Sequence, residues 1–213
     1  PTAQHPPHQL DCPLGSYQDQ TGQMVCIVAD EGFFVKTIGA ASQQRCALGE
    51  YSEQQGSTHC LRALPGFAAE VPGFDATTDN YATFFTDDST PGATGQTVCL
   101  EGTYSPGGVE QCIEAPVGTF VASAQQNAPD LCPPGTYQDE TGQTGCKPAQ
   151  PGFFVALPGA DSPTECSNGT YTTQTAQRTC YLAPEGTYLS KVSITAGNQE
   201  ETDFIANGTG ADV

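Results

Sequence analysis

Apolar residues in this chain fall in short runs bounded by turn formers, and no window sustains the 3.6-residue period of a helix. Copies such as CPLGSYQDQTGQMVC and CPPGTYQDETGQTGC carry G-x-Y-x-x and then T-G-Q-x-x-C, two short aromatic or β-branched segments around a turn. That pattern predicts a small β-hairpin, with Gly22, Gly56 and Gly142 supplying the positive φ of a tight turn. Ala176 holds the corresponding place in the last copy, so that turn is expected to use another backbone geometry or to be looser. With 24 glycines and 17 prolines among 213 residues, helix is not expected anywhere.

The hairpin pattern repeats. A second motif, A-x-x-G-x-aromatic, lies between the cysteine copies at Ala29, Ala115, Ala149 and Ala183, with a degenerate version at Ala63. Gly15, Gly32, Gly49 and Gly66 are spaced by 17 residues, as are Gly135, Gly152, Gly169 and Gly186. The unit is therefore a 17-residue element in two alternating forms, paired into a repeat of 34. A lone hairpin is marginal in water, so each must lean on its neighbours. Tyr17, Phe34, Tyr51, Tyr104, Phe120, Tyr137, Phe154, Tyr171 and Tyr188 are expected to stack between units; an exposed aromatic row for carbohydrate is the competing reading.

The ten cysteines change the picture from weak core to crosslinked array. Leu, Ile, Val and Phe together are 36 of the 213 residues and the net charge is −18, a balance that alone would point towards disorder. Evenly placed cysteines supply the crosslinks that a thin core lacks. An even count without C-x-x-C favours disulfides over zinc. Within a copy the spacing is C-x13-C, or C-x12-C for Cys99 and Cys112, whereas the gap between copies doubles once, from Cys60 to Cys99. A bond of fixed geometry follows the near-constant spacing, which predicts Cys12–Cys26, Cys46–Cys60, Cys99–Cys112, Cys132–Cys146 and Cys166–Cys180. Such a chain belongs outside the cytosol, secreted or on a cell surface. The absence of a signal-peptide pattern at Pro1 points to a processed or truncated segment.

The expected fold is thus all-β and irregular, disulfide-rich, an elongated tandem array of short hairpins. Its parts are a Pro-rich arm (1–11), repeats at 12–45, 46–98, 99–131, 132–165 and 166–199, and a tail (200–213). The beat breaks once, because the step from Cys46 to Cys99 is longer than any other step between first cysteines. The insertion lies near 70–95, and its end, TFFTDDSTPGATGQTVC, suggests one more hairpin that has lost its cysteine.

The string CPPGTYQDETGQTGCKPAQPGFF from Cys132 resembles the ephrin-receptor-like cysteine-rich repeats and, more distantly, tumour-necrosis-factor-receptor modules. The resemblance covers about Cys12 to Leu189 and implies extended, disulfide-laddered ectodomain architecture, without implying a particular function. Family members commonly add a further cysteine where this chain has Ala29, Ala63, Ala115, Ala149 and Ala183, so alanine is expected to fill the space of the missing sulfur.

Chemistry is scarce. No P-loop, dinucleotide fingerprint, G-x-S-x-G or H-E-x-x-H occurs, and an enzyme is not expected. His5 and His8 flank prolines in the arm, where a solvated leader competes with metal contact. Asp75, Asp79, Asn80, Asp87 and Asp88 form the densest oxygen-rich cluster, but no D-x-[DN]-x-[DN]-G is present and a solvated acidic loop competes with calcium. No other metal and no cofactor is expected. Asn168-Gly169-Thr170 and Asn207-Gly208-Thr209 are N-glycosylation sequons, and the threonines allow O-linked sugar.

Six Lys and Arg against 24 Asp and Glu exclude an electrostatic footprint for nucleic acid, and no run approaches a membrane span. Two functions follow as expectations. One is a structural segment of an extracellular filament or stalk, self-associating head to tail, because the alternation opens on a disulfide half-unit and closes on a disulfide-free one. The other is a receptor or adhesin ectodomain in which Phe74, Tyr81, Phe84 and Phe85 of the insertion recognise a surface protein or carbohydrate.

Overall fold

Turn chemistry sets where the strands begin. In the segment Pro13–Ser16 the Ser16 N–H donates to the Pro13 carbonyl at 3.1 Å, with Gly15 in the left-handed region at φ 78° as the third residue. A type II turn demands that conformation, and glycine supplies it without steric penalty. Where Ser or Thr follows the glycine, its hydroxyl donates back to the same carbonyl: Ser16 to Pro13 at 2.8 Å, Thr119 to Pro116 at 2.6 Å, Thr136 to Pro133 at 2.7 Å. The chain leaves each turn as a two-residue strand.

The structure, a computed structural model, describes residues 10–74, 90–196 and 199–206, and over 190–206 the backbone alone. Among these residues there is no helix, and all twenty strands pair into two-stranded antiparallel sheets. The first three hairpins are β1 (Ser16–Tyr17) with β2 (Ile27–Val28), β3 (Phe33–Phe34) with β4 (Gln44–Arg45), and β5 (Glu50–Tyr51) with β6 (Leu61–Arg62). Their registers, Ser16 opposite Val28, Phe33 opposite Arg45 and Glu50 opposite Arg62, advance by one half-unit at each step. The same step recurs from Thr119 opposite Leu131 to Thr136 opposite Pro148, Phe153 opposite Glu165 and Thr170 opposite Leu182. The chain is an all-β, disulfide-rich array of tandem hairpins.

Two compact units share the chain. One comprises 1–99 with 105–112, the other 100–104 with 113–213. The fourth hairpin, in the first unit, pairs β7 (Phe67–Glu70) with β8 (Gly95–Val98) and carries the insertion as its loop. This corrects the expected extra hairpin: GQTV is the return strand of β7, with Phe67 opposite Val98. Ser52 donates its N–H to Ala93 O at 3.0 Å, whereas the offset that pairs Gln18 with Ala40 and Val35 with Ser57 would have led it to Phe74. The inserted residues are thus absorbed between Phe74 and Ala93. Residues 75–89, with Asp75, Asp79, Asn80, Tyr81, Phe84, Phe85, Asp87 and Asp88, lie outside the described residues, as do His5, His8 and Asn207.

The last hairpin departs from the beat. Strands β19 (Leu189–Ala196) and β20 (Gln199–Ala206) run eight residues each, with Leu189 opposite Ala206. The KVSIT stretch therefore pairs within its own chain, and the hairpin crosses the expected boundary between 199 and 200.

Candidate functional site: repeat glycines and a cysteine–alanine column

Repeat glycines such as Gly15 and Gly135 serve three hairpins. In the first unit Gly15 donates its N–H to Val35 O at 2.9 Å, one hairpin on, while its carbonyl accepts the Ala29 N–H at 2.9 Å. Ala29 in turn accepts the Gly56 N–H at 2.8 Å, from the loop two hairpins on. In the second unit Gly135, Val155, Ala149 and Ala176 repeat these contacts at 2.8, 2.9 and 2.8 Å. A buried amide left unpaired costs about 1–3 kcal/mol, so within each unit the network ties a hairpin to its next two neighbours.

The same glycines are sterically filled. A Cβ on Gly15 would run into the Gly56 carbonyl, on Gly49 into that of Gly108, on Gly102 into that of Gly142 and on Gly118 into that of Gly159. Gly32 abuts Gly92, the insertion residue that replaces Gly73 as the loop tip, and Gly73 itself has nothing within 4 Å. Loop tips therefore rest on bare backbone. The loop tip of the last disulfide copy overturns the expectation for Ala176: its φ is +59°, it donates the same hydrogen bond to Ala149, and its carbonyl covers Gly135. The ladder bond enforces the left-handed geometry against the local preference of alanine. Gln125, at φ +65°, is the other non-glycine residue in the left-handed region among the described residues.

Burial follows two columns, and neither is the aromatic row. Cys12, Ala29, Cys46, Ala63, Cys99, Ala115, Cys132, Ala149 and Cys166 are all buried, alternating cysteine with alanine every half-unit. Alanine thus occupies the small space expected of it, although Ala183 is only partly buried. The second column is the residue after the aromatic: Val35, Val121 and Val155 in disulfide-free halves, and Ser52, Ser105, Gln138 and Thr172 in disulfide halves. The polar members are satisfied locally. Ser105 Oγ donates to Phe67 O at 2.7 Å, Gln138 Nε2 to Gly145 O at 2.7 Å, and Thr172 Oγ1 accepts the Gly152 N–H at 2.8 Å.

The aromatics expected to glue the units are half-buried, with two exceptions: Tyr51 is buried and Tyr188 is 64 % exposed. Small side chains and glycine let backbones approach too closely for rings to lie between them. Burial is the main reason the Tyr17 hydroxyl is pushed above its ordinary pKa, with Asp30 and Asp19 adding to it. Phe74, nominated for recognition, is partly buried against the cluster of Tyr51, Ala63, Ala69, Val71 and Ala93.

Disulfides join Cys12–Cys26, Cys46–Cys60, Cys99–Cys112, Cys132–Cys146 and Cys166–Cys180, with Cα separations of 5.5–5.8 Å, and no cysteine is free. Each links the residue before the entry turn to the residue preceding the return strand. Lys147 adds a surface clamp to Asp139 at 2.7 Å and Glu140 at 3.2 Å. The hydrogen bond from Lys147 holds the Asp139 carboxyl below its ordinary range and raises the ammonium above its own.

Asn168 is exposed on the turn that carries Gly169, and His59, also exposed, meets the Thr58 hydroxyl at 3.3 Å. Among the described residues no group of three His, Cys, Asp or Glu is placed to hold a metal, and no helix is long and apolar enough to cross a membrane. Compared with known proteins, the chain matches no family model and no curated sequence. Fold and crosslinks define it as an extracellular-type module of disulfide-stapled hairpins, structural or binding in role.

Proposed function

We propose that this protein is a non-catalytic structural segment of an extracellular filament or cell-surface stalk, formed by end-to-end association of copies of the chain. The observation that carries this reading is the glycine network, in which a hairpin is completed by backbone groups of the next two. A module whose stability comes from serial neighbours extends by adding more of the same. Five short disulfide loops, each worth about 3 kcal/mol in the chain-entropy model, suit a part that must persist outside the cell. Six basic residues leave few sites for trypsin-like proteases, and the charge of −18 keeps assemblies from bundling. No calcium or cofactor enters this reading, and glycans at Asn168 and Asn207 would decorate it.

Electron microscopy of native material tests it. Filaments or strings of associated particles are expected; uniformly monomeric particles of the intact chain would overturn it. The second reading, a receptor or adhesin ectodomain, rests on the insertion in the loop of β7 and β8. Deleting residues 75–89 should then abolish binding to a surface partner while leaving assembly untouched.

A further inference from the structure

We infer that the loop of the third hairpin, between β5 (Glu50–Tyr51) and β6 (Leu61–Arg62), holds a binding site for a primary carboxamide of the kind a glutamine side chain carries. This site is independent of the assembly reading above.

The residue after the aromatic decides what fills the loop of a disulfide half-unit. Gln18 and Gln138 reach into theirs with a carboxamide. Gln18 Nε2 donates to the Val25 carbonyl at 2.6 Å, and Gln18 Oε1 accepts the Gln20 N–H at 3.1 Å. Gln138 repeats both contacts, with the Gly145 carbonyl at 2.7 Å and the Glu140 N–H at 3.1 Å. Two copies of the loop, one in each compact unit, thus hold the same chemical group by the same pair of backbone atoms.

Ser52 stands at this place in the third hairpin, with Gln54 and His59 as the counterparts of Gln20 and Val25. Serine is too short to span the loop. Its Oγ donates instead to Ser57 Oγ at 2.6 Å, and Ser57 Oγ donates on to the Gln54 carbonyl at 2.7 Å. Among the described residues no hydrogen bond takes up the Gln54 N–H or the His59 carbonyl. A cleft of about 240 Å³ opens there, lined by Ser52, Glu53, Gln54, Ser57, His59 and Leu61. The remaining disulfide loops are arranged differently. Ser105 Oγ accepts the Gly107 N–H at 3.0 Å, and Thr172 Oγ1 turns to the Gly152 N–H at 2.8 Å.

An incoming carboxamide completes the third loop as the built-in one completes the first and the seventh. Its oxygen accepts the Gln54 N–H and one of its N–H groups donates to the His59 carbonyl, leaving the second for the Glu53 carboxylate on the rim. Leu61, 50 % exposed, offers apolar surface to the attached methylenes. A carboxylate in the same place has no donor for the His59 carbonyl and is repelled by Glu53, so the loop selects glutamine over glutamate. Contacts this few make a weak site, with a dissociation constant on the order of 1 mM.

The test is an NMR titration of the full, oxidised, isotope-labelled chain with L-glutamine and, in parallel, L-glutamate. Glutamine should give saturable shifts centred on the Gln54 amide and the His59 carbonyl carbon, and glutamate should bind about tenfold or more weakly. The peptide Gly-Gln-Gly separates the sources of the amide: tighter binding than free glutamine assigns the site to a polypeptide side chain, weaker binding to a free amide. Ser52→Gln installs the amide already present at Gln18 and Gln138, so it should weaken glutamine binding about tenfold or more without lowering thermal stability. Absence of saturable shifts, an equal response to glutamate, or a folded Ser52→Gln chain that binds like the wild type would each overturn the site. Binding of N-acetylglucosamine without a response to glutamine overturns it in favour of a secondary amide. Should Ser52→Gln fail to fold, the wild-type shift map decides, because shifts centred away from Gln54 and His59 overturn the proposal.

Discussion

Glycine at half-unit intervals is the residue-scale device, and at Gly15, Gly32, Gly49, Gly102, Gly118 and Gly135 it acts twice. It supplies the left-handed turn that starts a hairpin, and it leaves room for a carbonyl from two hairpins on. Gly118→Ala is therefore expected to cost roughly 2–5 kcal/mol, from left-handed strain and overlap with the Gly159 carbonyl. Urea denaturation would show it as a lower midpoint, and an unshifted midpoint would rule out the close approach. Ala176 offers the converse. Its φ of +59° is strained for alanine, so Ala176→Gly should stabilise by up to about 1 kcal/mol after the larger entropy of glycine in the unfolded chain is subtracted. A loss of stability would mean that the alanine methyl contributes packing there. At the surface, Asp139 has a depressed pKa, so its contribution is present above the unfolded carboxylate pKa and fades as pH falls through the folded value. Lys147, raised, contributes below its unfolded pKa and loses this as pH rises through the folded one. Between those limits the clamp is constant, and NMR titration of the Asp139 carboxyl should show its midpoint move up in Lys147→Met.

At the scale of the element, a two-residue strand pair has almost nothing to hold it closed. The disulfide supplies the closure in every second hairpin, and the valine after the aromatic supplies burial in the second, sixth and eighth. Replacing Cys132 and Cys146 together by alanine should cost about 3 kcal/mol, the loop-closure value for a separation of 14 residues. Full reduction should then collapse the array, visible as a circular-dichroism melt shifted far down by reductant; an unshifted melt would make the glycine network sufficient alone. The hairpins and their beat were legible in the sequence because turn glycines and cysteines are punctuation that tertiary context rarely overrides. The buried columns were less so. Aromatics are the usual source of core area, and only the spacing of Ala29, Ala115 and Ala149 in phase with the cysteines hinted that small residues would take that place. The insertion misled for a related reason: the TGQ of Thr94–Gln96 copies the loop of a disulfide half-unit, whereas pairing with Phe67–Glu70 made it a return strand.

For the whole molecule, composition and crosslinking agree on location: sparse apolar residues, strong acidity and five disulfides fit an oxidising exterior. Period, hairpin chemistry, alternation of the two half-units and absence of helix followed from the sequence by itself, because each is fixed by neighbours within a single half-unit or the next. What covers each repeat glycine did not. That cover comes from a loop more than two half-units along the chain, as Gly56 is from Gly15 and Gly159 from Gly118, and so long a separation leaves no local signal beyond the beat itself. Tertiary structure alone forced Ala176 into a glycine's conformation and moved the core from rings to backbone and small side chains. The physical reason is common to both: backbone groups carry the contacts between hairpins, and backbone groups are the part of a chain that its side-chain sequence describes least.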